Sequence, residues 1–195
     1  MRAFFAIVLS GFLMNPSLSS SAASLVSPYA GEESRQIKSL SDSDIDDLLN
    51  GRGWGLAKAA ELNGVPGPKH LLEMSSEIDL SPEQISAINA VWADMNSKAK
   101  ALGARYVALE KTLNEEFAGG AMSAERLEAL LNEISKVHAE LRYTHLSAHL
   151  EMSPILTVHQ VKQYNSLRGY ANGDPCAQVP EGHDPTMWKM HNDCN

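Results

Sequence analysis

The sequence predicts an all-α protein built on a long antiparallel helical hairpin with short flanking helices. It contains no run of alternating β-branched residues of the kind that forms strands. Between Pro82 and Phe117, apolar or small side chains recur at intervals that alternate between three and four residues. This heptad stripe is typical of a helix that packs along a partner helix. Its members are Ile85, Ile88, Trp92, Met95, Ala99, Leu102, Tyr106, Leu109 and Leu113.

A second long helix follows after a tight turn. Gly119-Gly120 ends the first arm, and Ser123 is a suitable N-cap for the second. Ser153-Pro154 ends the second arm, because proline disrupts a helix interior. The stripe of this arm again alternates between four and three residues: Leu127, Leu131, Ile134, His138, Leu141, His145, Ala148 and Met152.

Three helix starts share one pattern, in which a leucine precedes a Ser or Thr and an Asp or Gln follows three residues later. The hydroxyl can accept a hydrogen bond from a free backbone N–H, and the later side chain can reach back to the N–H of the cap residue. The third copy predicts a final helix from residue 158 to about 168. The copies are Leu40-Ser41 with Asp44, Leu80-Ser81 with Gln84, and Leu156-Thr157 with Gln160.

Short helices are predicted before the hairpin, over residues 42–49, 56–62 and 68 to about 78. The hairpin cannot cover both of its own apolar stripes. Either these short helices or a second copy of the chain must therefore pack against it, and we predict a homodimer.

The first 23 residues are predicted to be a secretory signal peptide. Arg2 precedes an apolar run that ends at Asn15-Pro16, and small residues then lead to a cleavage site after Ala23. The run is too short for a permanent membrane anchor, and no second hydrophobic segment follows. We expect the mature protein to have no membrane span and, in a bacterium, to be periplasmic. The predicted organisation is a signal peptide (1–23), a short-helix segment (24–69), the hairpin domain (70–170) and a tail (171–195).

The charge of the chain argues against nucleic-acid binding. It has 16 Lys and Arg against 24 Asp and Glu, a formal net charge of −8, whereas nucleic-acid-binding surfaces are basic. The sequence also lacks a nucleophile elbow and a His-Glu-x-x-His motif. We therefore expect a protein that is not an enzyme and requires no cofactor.

Metal binding is a second hypothesis. His145 and His149 are four residues apart on one predicted helix, a spacing that allows two imidazoles to share a copper or zinc ion. Alternatively, His145 packs in the stripe and His149 is exposed.

The tail offers another candidate site. Cys176, His183, His191 and Cys194 are ligand types that suit copper or zinc. A disulfide between Cys176 and Cys194 is the favoured alternative in an oxidising compartment. The two interpretations exclude each other for the cysteines, because a disulfide sulfur is a poor ligand.

Two of the helix-start patterns also resemble the LTxxQ motif of the Spy/CpxP-like periplasmic proteins and their heavy-metal-sensor relatives. The resemblance covers residues 71–170, and Ser replaces Thr in the first of the two motifs. It implies a cradle-shaped dimer that binds unfolded envelope proteins without ATP, or that binds a sensor kinase in the stress response. The residues that match the motif are Leu80, Ser81, Gln84, Leu156, Thr157 and Gln160.

Overall fold

The computed structural model describes residues 26–170, 179 and 184–191, without the side chain of His191. The chain divides into two compact units between Glu33 and Ser34. Residues 26–33 form turns and the start of a 3-10 helix at Glu32–Ser34. The second unit contains all the α-helices of the described residues.

Helices dominate that unit, and the described residues contain no β-strand, only an isolated bridge between Ile37 and Leu40. The predicted all-α class is confirmed, and the two long helices pack against each other as a hairpin. The helices are α1 (Asp42–Leu49), α2 (Lys58–Glu61), α3 (Pro68–Glu73), α4 (Pro82–Ala118), α5 (Ala124–Leu150), α6 (Val158–Leu167) and α7 (Pro185–His191).

Local sequence signals explain where the main helices begin. Ser41, Ser81 and Thr157 are N-caps of complete capping boxes, as predicted. Ser123 caps α5 by accepting a hydrogen bond from the backbone N–H of Arg126 at 3.2 Å. Gly120 has a φ of 66°, a conformation that glycine adopts without steric cost, and it turns the chain between the two arms.

Two of the short helices are shorter than predicted. Helix α2 spans four residues, and α3 ends at Glu73 rather than near residue 78. After α3 the chain turns so that Ile78 and Leu80 are buried, and Asp79 between them has a φ of 52°. Burial of these two side chains outweighs the helical preference of the segment.

The stripe of α4 is buried or half-buried along its whole predicted length, with Ile88 and Ala99 fully inaccessible. The stripe predicted for α5 is wrong at Leu131, which is 44% exposed, whereas Leu130 and Val137 are buried. The buried row runs through Leu130, Ile134, Val137 and Leu141. The row continues through His145 and Ala148, so that its intervals are 4, 3, 4, 4 and 3, and the second consecutive interval of four shifts it from a strict heptad, as expected for 3.6 residues per turn.

Two apolar clusters cover the hairpin within a single chain. The cluster at the middle of the hairpin brings Ala99 and Leu141 together with residues from the N-terminal side: Ile37, Leu40, Leu48 and Leu56. The cluster at the open end, opposite the turn, contains Leu71, Ile78, Leu80, Ile88, Met152 and Tyr164. Much of the cover that motivated the homodimer thus comes from the chain itself, and the dimer stays a prediction.

Among the helices of the described residues, none is both long enough and apolar enough to cross a bilayer.

Candidate functional site: paired motifs and a histidine-lined cleft

The two LTxxQ-like motifs meet at the open end of the hairpin. The side-chain amides of Gln84 and Gln160 form a reciprocal pair, with Gln84 Nε2 donating to Gln160 Oε1 at 2.9 Å and Gln160 Nε2 donating to Gln84 Oε1 at 3.0 Å. Helix α4 is thereby joined to α6 through residues 76 positions apart. We call these two residues the glutamine pair.

The amide of Gln84 makes four hydrogen bonds and that of Gln160 makes five, one of them accepted from the Thr157 hydroxyl at 3.2 Å. The oxygens also accept from the backbone N–H groups of Ser81 and Thr157, at 2.9 and 3.0 Å. The nitrogens also donate to the carbonyl oxygens of Ile155 at 2.8 Å and Asp79 at 3.3 Å. Because every donor and acceptor of both amides is used, Gln160 can be buried without cost from unpaired polar groups.

The leucines of the same motifs belong to the cluster at the open end, where Leu80 is buried and Leu156 is half-buried. All six motif residues therefore have structural roles at one place. The sequence predicted the caps but not their pairing. Two features of the sequence could have indicated the pairing. Each motif has a glutamine three residues after the cap, and an antiparallel hairpin places the starts of α4 and α6 at the same end.

The first pattern has its own tertiary contact. Asp44 accepts from the backbone N–H of Ser41 at 2.8 Å and from the indole Nε1–H of Trp54 at 2.8 Å. These hydrogen bonds, with that from the Ser41 hydroxyl first, hold the pKa of Asp44 below its ordinary value. The carboxylate links the start of α1 to the loop that carries Trp54.

This arrangement predicts a pH-dependent contribution to stability. Because the pKa of Asp44 is lower in the folded state, its contribution is present above the unfolded-state pKa of about 4 and is lost as the pH falls below it. Asp44→Asn should therefore lower the free energy of unfolding at pH 7, and by less at pH 3. Urea unfolding at both pH values measures this. Asp42→Asn, an exposed change in the same helical turn, is the control, and equal losses for the two variants would contradict the prediction.

A cleft of about 510 Å³ lies between the loop at residues 50–55, the start of α3 and the two long helices. Trp54 lines it from the loop, and Trp92 and Met95 line it from α4. His145 and His149 line it from α5. Its volume is in the range of small-molecule sites.

Both histidines are buried, so the interpretation that leaves His149 exposed is wrong. His149 is 7% exposed, and its Nδ1 is 2.8 Å from the carbonyl oxygen of Val65. A carbonyl only accepts, so Nδ1 carries a proton and Nε2 is available to a ligand. His145 is 3% exposed, and its Nε2 is buried without a hydrogen-bond partner. Burial lowers the pKa of His145, and His149 lowers it further, which favours a neutral imidazole.

The structure thus brings the predicted pair, His145 and His149, to one cleft. No group of three or more His, Cys, Asp or Glu side chains arranged to hold a metal occurs among the described residues. Copper or zinc binding by the pair stays a prediction. Cys176, Cys194, His183 and the side chain of His191 lie outside the described residues, and so do the tail metal site and the disulfide.

Sequence reasoning missed Glu61, which lines the cleft and joins three side chains from the C-terminal part of the unit. Its Oε1 accepts from the Tyr164 hydroxyl at 2.7 Å, from Arg168 Nε at 2.9 Å and from the Tyr170 hydroxyl at 3.1 Å. Burial, aided by the Glu61 carboxylate, raises the pKa of Tyr164, which keeps the hydroxyl protonated as a donor. No local pattern around Glu61 predicts these contacts.

Comparisons with protein-family models, curated proteins and solved structures found no significant match. The resemblance to the LTxxQ family therefore rests on the motif residues and their surroundings in this chain alone.

Proposed function

We propose that this protein is an ATP-independent periplasmic chaperone of the envelope stress response, not an enzyme, that binds unfolded proteins on its helical surface. The proposal includes export through the N-terminal signal peptide. A homodimer and a sensor-kinase partner belong to the same proposal through the family resemblance. The paired motifs support it because they join α4 to α6 at the open end of the hairpin. The turn at the opposite end takes no part in this contact and can bind other proteins.

The observation that carries the proposal is the exposure of apolar side chains on the surface near the turn of the hairpin. Phe117 is 56% exposed at the end of α4, and Leu131 is 44% exposed within about two turns of the start of α5. We call this surface the apolar tip, and its half-buried members are Leu113, Met122 and Leu127. Exposed apolar surface that is rimmed by polar residues is typical of interaction sites.

Charges border the apolar tip and connect its two helices. Arg126 of α5 donates to Glu116 of α4 through Nε at 3.0 Å and Nη2 at 2.8 Å. These hydrogen bonds cross the turn and fix the ends of the helices relative to each other. The flexible thioether of Met122 suits apolar partners of varied shape. A fixed frame with an adaptable apolar surface suits the binding of many unfolded chains.

A light-scattering assay tests this function. Heat-unfolded citrate synthase, without ATP, should aggregate more slowly when the protein is present. The variant Phe117→Ser/Leu131→Ser should lose most of this effect, because it removes the largest exposed apolar area of the tip. Tyr143→Ser, which removes an exposed aromatic side chain farther along α5, is the matched control. Equal suppression by the tip variant and the control would contradict the role of the tip, and no suppression by the wild type would contradict the function.

A further inference from the structure

The cleft beside the paired histidines has a charge opposite to that of the chain as a whole. Its lining includes four basic side chains, Arg52, Lys58, Lys69 and Lys100, but only one carboxylate, Glu61. In the whole chain, acidic residues outnumber basic ones by 24 to 16. Cations gathered around a concave surface favour the entry of an anion.

Two of these cations are free to bind a ligand. Lys58 and Lys100 are exposed, and neither has an ion-pair partner among the described residues. The other two cations are already paired. Arg52 forms ion pairs with Asp46 and Asp47, and the Nζ atom of Lys69 is 3.7 Å from Oε1 of Glu73. The single carboxylate, Glu61, already accepts hydrogen bonds from three donors and does not neutralise the lysines.

The inner surface of the cleft combines apolar side chains with one unsatisfied polar group. Trp92 is half-buried and Met95 is buried, and both line the cleft beside His145. The Nε2 atom of His145 is buried without a partner. Such an atom is rare in proteins, and it shows that the polar groups of the His145 imidazole are not satisfied within the described chain.

We propose that this cleft binds a small organic anion, a molecule in which a carboxylate or phosphate group is attached to an apolar, preferably aromatic, body. The acidic group would lie near Lys58 and Lys100 at the rim. The body would contact Trp92 and Met95, and a polar atom of the ligand would bond to the His145 imidazole. This site is separate from the apolar tip and does not depend on the chaperone function.

The same surroundings disfavour a metal ion in the cleft. A divalent cation bound to His145 and His149 would share the cleft with two lysines, Lys58 and Lys100, that are unpaired among the described residues. The one carboxylate in the lining, Glu61, already accepts hydrogen bonds from three donors. Repulsion between like charges opposes binding there. The charge of the lining therefore favours an anion over copper or zinc.

Isothermal titration calorimetry of the full chain tests the proposal with probes that share one ring system. The probes are 2-naphthoate, 2-naphthyl phosphate and the uncharged 2-naphthamide, with inorganic phosphate to test the acidic group alone. We expect one or both aromatic anions to bind at least about tenfold more tightly than the amide, which corresponds to one charge-assisted contact. The anion that binds more tightly shows whether the site prefers a carboxylate or a phosphate group. Equal affinity for the amide, or no binding of any probe at millimolar concentration, would overturn the proposal.

Variants at the rim locate the binding site. Lys58→Gln/Lys100→Gln should weaken binding of the better anion by about tenfold or more. The control is Lys98→Gln, which lies on the same helix two residues from Lys100 but outside the cleft, where Lys98 pairs with Asp94 at 2.6 Å. If Lys98→Gln weakens binding as much as the double variant does, the anion binds elsewhere.

Metal titration and the aggregation assay complete the test. Stoichiometric binding of zinc or copper alone, lost in His145→Gln, together with no binding of the anions, would replace the anion site with a metal site. The double lysine variant should still suppress aggregation of citrate synthase, because neither lysine belongs to the apolar tip. The two proposals can therefore fail independently.

Discussion

Gly103→Val is expected to destabilise the protein by about 3 kcal/mol or more, at the upper end of the range for overpacking. Gly103 lies in the middle of α4, where α1 crosses it, and it is buried. A Cβ atom at this position would lie well within 3.0 Å of the carbonyl oxygen and carbon of Leu48. These are backbone atoms, so the clash is relieved only if α1 moves away from α4. That movement would open the cluster around Leu48, Ala99 and Leu141.

Thermal and urea unfolding measure this effect, and for a chain of this size 3 kcal/mol corresponds to a fall in Tm of about 6–12 °C. Ala104→Val is the matched control, because it places the same side chain on the same helix at an exposed position. The control should cost only about 0.5 kcal/mol through helix propensity. If the two variants unfold alike, α1 does not pack against α4 as the structure describes.

The boundaries of the main helices could be predicted because they depend on local signals. Ser41, Ser81, Ser123 and Thr157 begin their helices through hydrogen bonds to residues three positions away, and such bonds can be read from a short window of sequence. The helix α7 was missed although it has such a signal. Asp184 precedes Pro185 and accepts from the backbone N–H groups of Thr186 and Met187.

The contacts that could not be predicted join residues far apart in the chain. Glu61 meets Tyr164 across 103 positions, and Leu48 meets Gly103 only because α1 folds back over α4. No local sequence pattern around Glu61, Tyr164 or Gly103 indicates which distant residues they contact. Leu131 was misplaced for a related reason, since a small drift of the buried row decides which of two neighbouring leucines is covered.

The candidate site could be predicted only in part, because local spacing determines one feature of it and distant residues determine the others. The spacing of His145 and His149 predicts that they lie together, and they do so. The sequence does not show that residues from the loop at 50–55 and from the start of α3 complete a cleft around them. The charge of that cleft depends on Lys58 and Lys100, which are 42 positions apart. The positive charge of the cleft can therefore be recognised only in the folded structure.

The second large effect is expected at the glutamine pair. Gln160→Ala removes the cap contact to Thr157 and leaves the Gln84 amide without its partner in a partly buried place. The cap contact is worth about 1 kcal/mol, and the unpaired amide adds about 1–2 kcal/mol. We therefore expect a loss of about 2–3 kcal/mol, and a similar loss for Gln84→Ala.

A double-mutant cycle separates the pair from the two caps. If the amides stabilise each other, Gln84→Ala/Gln160→Ala should cost less than the sum of the single changes by about 1 kcal/mol or more. Ser123→Ala is the control, because it removes the cap of α5 at the opposite end of the hairpin, where no glutamine pair exists. It should cost about 1 kcal/mol and add to Gln84→Ala without coupling. Hydrogen exchange provides a second readout, since α6 should lose protection in Gln84→Ala but not in Ser123→Ala. Simple additivity in the glutamine cycle, with α6 still protected, would mean that the two motifs act only as separate helix caps.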